Sequence, residues 1–216
     1  RPPRSSPKPS SAASDVYKRQ QIRISDTADV GERVSIGTRT SIWHLAQVRE
    51  DAVIGNDCNI GRGVYIGPSV KIGNNVKIQN HALIYDPSEI EDGAFIGPAA
   101  ILTNDIYPRS VDMEGNVKGP EGWQASPVKV GKGASIGARA VVLAGTKIGA
   151  WALIGAGSVV IRSVPAFALV VGNPARQIGW VGRAGVKLTK ESGVWVCPSS
   201  GEKYIENAGE LTPTES

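Results

Sequence analysis

The chain is short of most things that build thick globular cores or metal sites. Of its 216 residues only 6% are aromatic, and it has two cysteines and two histidines. So few rings exclude a core built on large aromatics and suit a thin one of Ile, Val and Ala. Cys58 falls at an inward position of the repeat described below and Cys197 in the C-terminal stretch. They do not read as a pair, so a disulfide framework is excluded and a reduced, cytoplasmic setting is expected. His44 and His81 are too few for a zinc site built on three histidines, and no metal is expected. No apolar run approaches membrane-spanning length, so no membrane insertion is expected. The net charge of +4 misleads, because Arg1, Arg4, Lys8, Lys18 and Arg19 against Asp15 place all of it in residues 1–20. The remainder holds 19 basic and 19 acidic residues, which gives no reason to expect a nucleic-acid partner. Segment 1–20 is rich in Pro and Ser, lacks the apolar stretch of a signal peptide, and looks like translated adapter sequence. It is expected to be non-native or disordered.

What is present is a rhythm. Ile, Val or Leu stands at every sixth residue from Ile24 to Leu102, through Ile42, Ile60, Ile78 and Ile96, and again from Val130 to Val160. Four residues after each comes a small or β-branched residue, from Ala28, Val34 and Thr40 through Ile106, and from Ala134 to Val164. A period of six fits neither an α-helix nor a plain strand. It predicts an all-β fold, a parallel β-helix of hexapeptide repeats. In it a bulky and a small residue point into a narrow shaft, three hexads make a coil, and residues eighteen apart stack. Gly commonly follows the bulky position, as in Ile36-Gly37 and Ile54-Gly55, and Gly or Asn near the corners is expected to supply positive φ. The domain reading is a β-helix over 21–164 and a C-terminal cap and tail over 165–216. Residues 108–129 break the rhythm as one long loop that includes Trp123. Loops of that length are uncommon and often functional; the bland alternative is a tolerated surface insertion. Trp195-Val196-Cys197-Pro198 followed by Gly201 has the flavour of half a zinc ribbon. One Cys cannot make a four-ligand site, and a hairpin packed on the helix end is expected.

Arithmetic on the period gathers a polar groove. His44, Arg62 and Asn80 each stand third in their hexads and are eighteen apart, so they share one edge. Asp86 and Asn104 are eighteen apart and should be neighbours, with His81 and Tyr85 close by in sequence. Outward positions of a solenoid are polar in any case, so this grouping fits either a solvated edge or a site, with His81 as a general base in the second case.

Those residues carry a resemblance. Ile42-Trp43-His44, Val76-Lys77-Ile78-Gln79-Asn80, Ile84-Tyr85-Asp86, Thr103 to Ser110 and Val170 to Trp180 resemble the sugar-nucleotide N-acetyltransferases of the hexapeptide superfamily. The nearest group is that acting on UDP-2-acetamido-3-amino-2,3-dideoxy-glucuronate. The match covers roughly 22–182. The resemblance implies a left-handed β-helix, a homotrimer, acetyl-CoA as co-substrate bound between neighbouring helices, and a nucleotide-sugar acceptor in surface polysaccharide (lipopolysaccharide) biosynthesis. It implies that Asn80 positions the acceptor amine. The next residue in that group is usually Asn, whereas here it is His81. Candidate substrate-binding residues are His44, Arg62, Tyr85, Asp86, Asn104 and Arg109. Candidate acetyl-CoA contacts are Ala138, Gly155, Ala156 and Arg176.

Rival readings differ in class. The outward positions vary from coil to coil, against the flat repetitive ladders of an ice-binding or structural helix. O-acetylation of a sugar or serine, N-acetylation of a dTDP-amino-sugar, and a non-catalytic scaffold stay open.

Overall fold

A computed structural model describes residues 21–119 and 124–214. The adapter-like segment 1–20 and Trp123 lie outside the described residues. Twenty strands of two residues each, from β1 (Arg23–Ile24) to β20 (Val159–Val160), recur every six residues on either side of the loop. Every third strand pairs in parallel with the next: Ile42 with Ile60, Ile60 with Ile78, Ile78 with Ile96. Three sheets result, and we refer to the faces through Ile78, Ile84 and Ile90 as the first, second and third. Across the loop the pairing interval is 40 residues instead of 18, as in Leu102 with Val142 and Ile90 with Val130. The extra residues therefore leave as a unit and the stack closes in register behind them.

The shaft fills as the period requires. Ile60, Ile66, Ile78, Ile84, Ile96 and Ile136 are fully buried, and so are the small partners Ala82, Ala94, Ala100 and Ala140. Burying each such Ile contributes roughly 1.5–3 kcal/mol. Two ends of the pattern depart from it. Ile24 is exposed at the first coil, where Val30 and Ile36 are only half-buried. Ile106 is 51% exposed, because it already belongs to the loop. The loop's boundaries also shift from 108–129. The chain leaves the coil after β14 (Ile101–Leu102), and Val128 is buried just before β15 (Lys129–Val130).

Gly63, Gly93, Gly133, Gly145, Gly157 and Asn75 hold positive φ at corners as expected, and the glycines that follow Ile have another reason. Left-handed φ values fall two residues beyond the Ile-Gly glycine, and most are held by other residues: Arg33, Arg39, Leu45, Asp51, Asp57, Asn75 and His81 at φ 57° to 61°. Gly37 and Gly55 are not among these positions. A Cβ on Gly55 would lie 2.5 Å from the carbonyl oxygen of Gly73, one coil along. At Gly37 and Gly55 the backbone of the next coil leaves no room for a side chain. Each left-handed residue costs ~1–2 kcal/mol, offset by bonds between coils such as Asp57 N–H to Thr38 O at 2.9 Å and Asn75 N–H to Asn56 O at 2.8 Å. Corner side chains add to the stack. The Oδ1 of Asn56 accepts from Thr38 N–H, that of Asn74 from Asn56 N–H, and that of Asp92 from Asn74 N–H. Arg33 and Arg39 pair two-pronged with Asp51 and Asp57, eighteen residues on. Those arginines hold both carboxylates below the usual range.

The top of the stack is closed by the C-terminal residues. β21 (Ala168–Gly172) continues the first face, and β22 (Ala175–Trp180) turns back against it. Four antiparallel strands follow: β23 (Thr189–Glu191), β24 (Val194–Val196), β25 (Lys203–Asn207) and β26 (Glu210–Pro213). Phe167, Trp180, Leu188, Cys197, Tyr204 and Leu211 join the buried cluster of the shaft. The ring of Tyr204 meets Phe167 edge-on at 5.2 Å. Its hydroxyl donates to Glu202 and accepts from Arg183 N–H at 3.0 Å. Burial, then Glu202, push it up to about 12. Cys197 sits in a tight turn, its Sγ 3.4 Å from Ser199 Oγ. Hydroxyl contacts from Ser199 and Ser200 bring its thiol down to about 7. The turn is thus part of a hairpin packed on the helix end.

Two outcomes follow from this packing. Gly55→Ala should lower the unfolding free energy by ~1–3 kcal/mol, the range for overpacking, whereas Asn75→Gly at a left-handed corner should change it by less than about 1 kcal/mol. Equal losses in urea melts would show that conformation, and not contact, selects the glycine. The second concerns alkali. Tyr204 is an acid whose folded pKa lies above the ordinary value near 10, so ionisation favours the unfolded chain. Stability should be full below pH ~10 and fall as pH rises towards 12, and Tyr204→Phe should remove that fall in pH-dependent thermal melts.

Candidate active site

His81 occupies a left-handed corner, φ 61°, between the first and second faces. Its backbone N–H donates to Arg62 O at 2.9 Å. A Cβ placed on Gly63, one coil below, would lie 2.6 Å from the His81 Nδ1. The imidazole therefore rests on the bare backbone of Gly63, exposed to solvent. Asn80 beside it is also exposed, and its Oδ1 accepts from Arg62 N–H at 2.9 Å. That bond repeats the Asn ladder of the neighbouring corner, so Asn80 is partly structural. It fixes the amide's orientation and leaves the two Nδ2 hydrogens and one oxygen lone pair free.

The edge predicted for His44, Arg62 and Asn80 exists, with His44 one coil from Arg62 and two from Asn80. The Nδ1 of His44 lies 2.6 Å from Ser25 Oγ and 2.9 Å from Thr27 Oγ1, which bind it to the first coil. Two coil rises, ~10 Å, separate its position from that of Asn80. At the next corner Asp86 and Asn104 are neighbours, with Asn104 Nδ2 to Asp86 Oδ1 at 3.5 Å. Tyr85 is half-buried and packs on Tyr65, ring centroids 5.2 Å apart. Arg109 lies out on the loop, its Nη1 donating to Pro108 O. Beyond it the loop forms a small hairpin. Val111 pairs with Val117, and the Asp112 carboxylate, held low chiefly by Asn116, accepts from Glu114 N–H and from Asn116.

The four acetyl-CoA candidates fall on two corners. Ala138 and Ala156 continue the column of Arg62 and Asn80 upward. The space over Gly155 is taken by Val171, whose Cγ1 would be 2.7 Å from an added Cβ, whereas nothing lies within 4 Å of one at Gly157. Arg176 instead shares a cavity of about 260 Å³ with Arg162, Ser163 and Gln177, beyond β20 at the other edge of the second face. Arg162, Gly63 and the group Arg49, Glu50 and Tyr65 were not among the sequence candidates. The last was within reach, since Glu50 stands two coils below Asp86 in the same column.

Larger hollows lie elsewhere, one of about 480 Å³ over Lys71, Glu89, Glu91 and Lys132 and one of about 760 Å³ beside Arg183 and Glu202. The polar edge itself, with Arg62, Asn80 and His81, is exposed to solvent. Among the described residues no group of three or more His, Cys, Asp or Glu is placed to hold a metal ion.

Comparison with known proteins adds the family signal. The model described as bacterial transferase hexapeptide (six repeats) matches residues 33–68, 51–86 and 127–162. The chain is a left-handed hexapeptide-repeat β-helix. This hexapeptide β-helix is 45% identical over 85 residues to dTDP-3-amino-3,6-dideoxy-alpha-D-galactopyranose 3-N-acetyltransferase of Aneurinibacillus thermoaerophilus, covering 39% of the chain and 43% of that protein. It is 35% identical over 100 residues to serine acetyltransferase 4 of Arabidopsis thaliana, 46% of the chain and 27% of the relative. The chain thus spans less than half the length of either relative. Among solved structures, a variant of AntD, an N-acyltransferase from Bacillus cereus in complex with dTDP and coenzyme A, shares the fold. Its TM-score is 0.50 and its identity 23%, over 72% of this chain and 85% of that one.

The His81–Gly63 contact makes a local prediction for the hexapeptide β-helix. Gly63→Ala must displace the imidazole, so the His81 ring resonances should shift in NMR spectra. Gly133→Ala, beneath the Trp151 ring at another corner, should leave them in place. Unmoved His81 signals in Gly63→Ala would mean that the ring does not rest there.

Proposed function

We propose that the chain is an acetyl-CoA-dependent N-acetyltransferase that acylates the amine of a nucleotide-linked amino sugar. The observation that carries this reading is the 45% identity over 85 residues with a dTDP-amino-sugar N-acetyltransferase, in a chain whose exposed edge sets Asn80, His81 and Arg62 side by side. Our finer reading of the acceptor is UDP-2-acetamido-3-amino-2,3-dideoxy-glucuronate, made for surface polysaccharide in the cytoplasm. It rests on the motifs around Asn80, Tyr85 and Arg109.

The chemistry is direct transfer. The neutral amine attacks the thioester carbon, an N–C bond forms, and a tetrahedral oxyanion collapses with loss of the C–S bond. The amine proton leaves and the thiolate of CoA gains one. Asn80 orients the acceptor, its free lone pair taking an amine N–H and its Nδ2 reaching the sugar, a proximity effect. His81, ring exposed beside it, assists proton removal. Arg62, Asp86 and Asn104 hold the sugar and diphosphate, with Arg109 reaching in from the loop. The small corner of Ala138, Ala156 and Gly157 gives the pantetheine arm an open path, and Arg162 with Arg176 offers paired guanidinium groups for its phosphates.

An exposed polar edge on a thin helix suits a homotrimer, in which a neighbour's wall completes each site. Light scattering should therefore give three times the chain mass, and a fully active monomer would contradict it.

Thiol release from acetyl-CoA tests the activity, with UDP- and dTDP-linked amino sugars and L-serine as acceptors. Turnover with an amino sugar is expected. Serine turnover alone would favour O-acetylation, which the likeness to serine acetyltransferase keeps as the second reading. No release with any acceptor would leave a scaffold. Within the site, Asn80→Ala should lower kcat/KM at every pH, since orientation does not titrate. His81→Asn, which restores the residue usual in the resembling group, should stay within a few-fold of the parent. A His81→Asn protein that binds both substrates yet loses the ~10²–10⁴-fold supplied by a general base would make His81 essential.

A further inference from the structure

The three faces present different outward residues. On the third face a charged residue precedes the inward one in four successive strands, Lys71-Ile72, Glu89-Ile90, Lys129-Val130 and Lys147-Ile148. On the second face that position is apolar in Leu83-Ile84, Ile101-Leu102, Val141-Val142 and Val159-Val160. Parallel strands that are apolar on both sides belong to sheets covered on both sides. The shaft covers one side of these strands, while their outward side chains are only half-buried. Tyr65, Leu83, Ile101, Val141 and Val159 stack into a column without a charge, about 20 Å tall at the rise of parallel strands. Below Tyr65 the column turns polar, and there Gln47 donates to Asp29. Leu143 and Ile161 widen the strip and are exposed. The loop leaves the same face after Leu102, with Ile106 against Gly145 at its base and Tyr107, Met113 and Val117 almost bare.

Polar edges border the strip on both sides. Arg62, Asn80 and His81 stand at the corner with the first face, and Asp86 and Asn104 at the corner with the third. An apolar centre inside a polar rim is the anatomy of an interface between proteins, and an uncovered patch of this kind marks one. The rows of the strip recur at ~4.8 Å, so a partner that meshes with it along its height has side chains recurring at the same rise. A second copy of this chain has that rise, and a permanent, charge-free contact suits identical subunits. A stable interface takes ~800 Å² from each partner, more than a strip ~20 Å by ~10 Å supplies. Leu143, Ile161 and the loop therefore belong to it as well. We propose that the second face, from Tyr65 to Val159, is the surface on which neighbouring copies of the chain pack. This rests on the homotrimer proposed above and says which face builds it. The Asn80–His81 edge borders that surface, so the neighbour that covers the strip also walls the site.

Light scattering of the full chain tests this with matched variants. Ile101→Lys combined with Val141→Lys puts charge at the outward position where the third face already carries Lys71, Lys129 and Lys147. The coil itself should therefore fold, which circular dichroism checks. Its mass should fall from that of three chains to that of one. Val53→Lys, the same apolar-to-Lys change at an exposed position of the third face, should keep the mass of three. A folded double variant that stays a trimer would overturn the proposal, and so would dissociation by Val53→Lys but not by the double variant. Hydroxyl-radical footprinting of the parent protein needs no variant. Leu83 should label several-fold more slowly than Leu153, the same residue at the same outward position of the first face. Equal labelling would overturn the interface even where the double variant misfolds, and would leave the trimer standing. A monomeric parent would remove trimer and interface together, while thiol release tests acetyl transfer separately.

Discussion

Everything in this molecule depends on one contact, the backbone-to-backbone stacking of each corner on the corner eighteen residues before it. Each hexad gives two ladder bonds to the next coil, such as Lys77 N–H to Ala94 O and Gln79 N–H to Ile96 O. A third is made where the chain turns through left-handed φ, as from His81 N–H to Arg62 O and from Asp57 N–H to Thr38 O. That close approach excludes a Cβ after Ile54 and Ile72, which is why Gly55 and Gly73 follow them. It also sets the ~4.8 Å rise by which any two side chains on an edge are separated. The shaft then needs only Ile, Val and Ala, and the chain manages with few aromatics.

The same stacking makes a regular frame for chemistry. Corners repeat, so side chains eighteen apart form columns, and a column changes character wherever one member changes. At the edge between the first and second faces, Gly63 removes a side chain and the His81 ring occupies its place. One corner on, Gly67 removes another between Arg49 and Tyr85. Asn80 has two duties at once. Its oxygen fastens Arg62 N–H, as Asn56 and Asn74 do on their own corner, and its NH₂ faces solvent. A residue that holds the coil is itself held, which suits it to orient a substrate without added ordering cost.

The departures from regularity cluster near that edge. The loop leaves after Leu102, and Ser126 N–H returns to Asn104 O at 2.8 Å, so its two ends are tied beside Asp86. The loop carries Tyr107, Met113 and Val117 almost bare to solvent. The C-terminal sheet closes the opposite problem, an open shaft end, with Phe167, Trp180 and Tyr204.

The sequence by itself determined the fold and the columns. A strict period of six admits no other packing of Ile60, Ile66 and Ile72, and simple intervals placed Arg62 under Asn80 and Asp86 beside Asn104. It could not determine where side chains lean, since a column fixes positions and says nothing of rotamers or of neighbours reached diagonally. His44 shares the edge of Asn80, yet Ser25 and Thr27 draw its ring to the first coil. Arg176 was expected near a phosphate of acetyl-CoA, and the reversal of β22 sets it beside Arg162, at a different corner from Ala156. The role of the glycines, the exposure of Ile106 and the Tyr65–Tyr85 contact were likewise decided only by the tertiary structure. Each depends on what the next coil or a turning strand leaves in the space above, a three-dimensional fact that a repeat length does not encode.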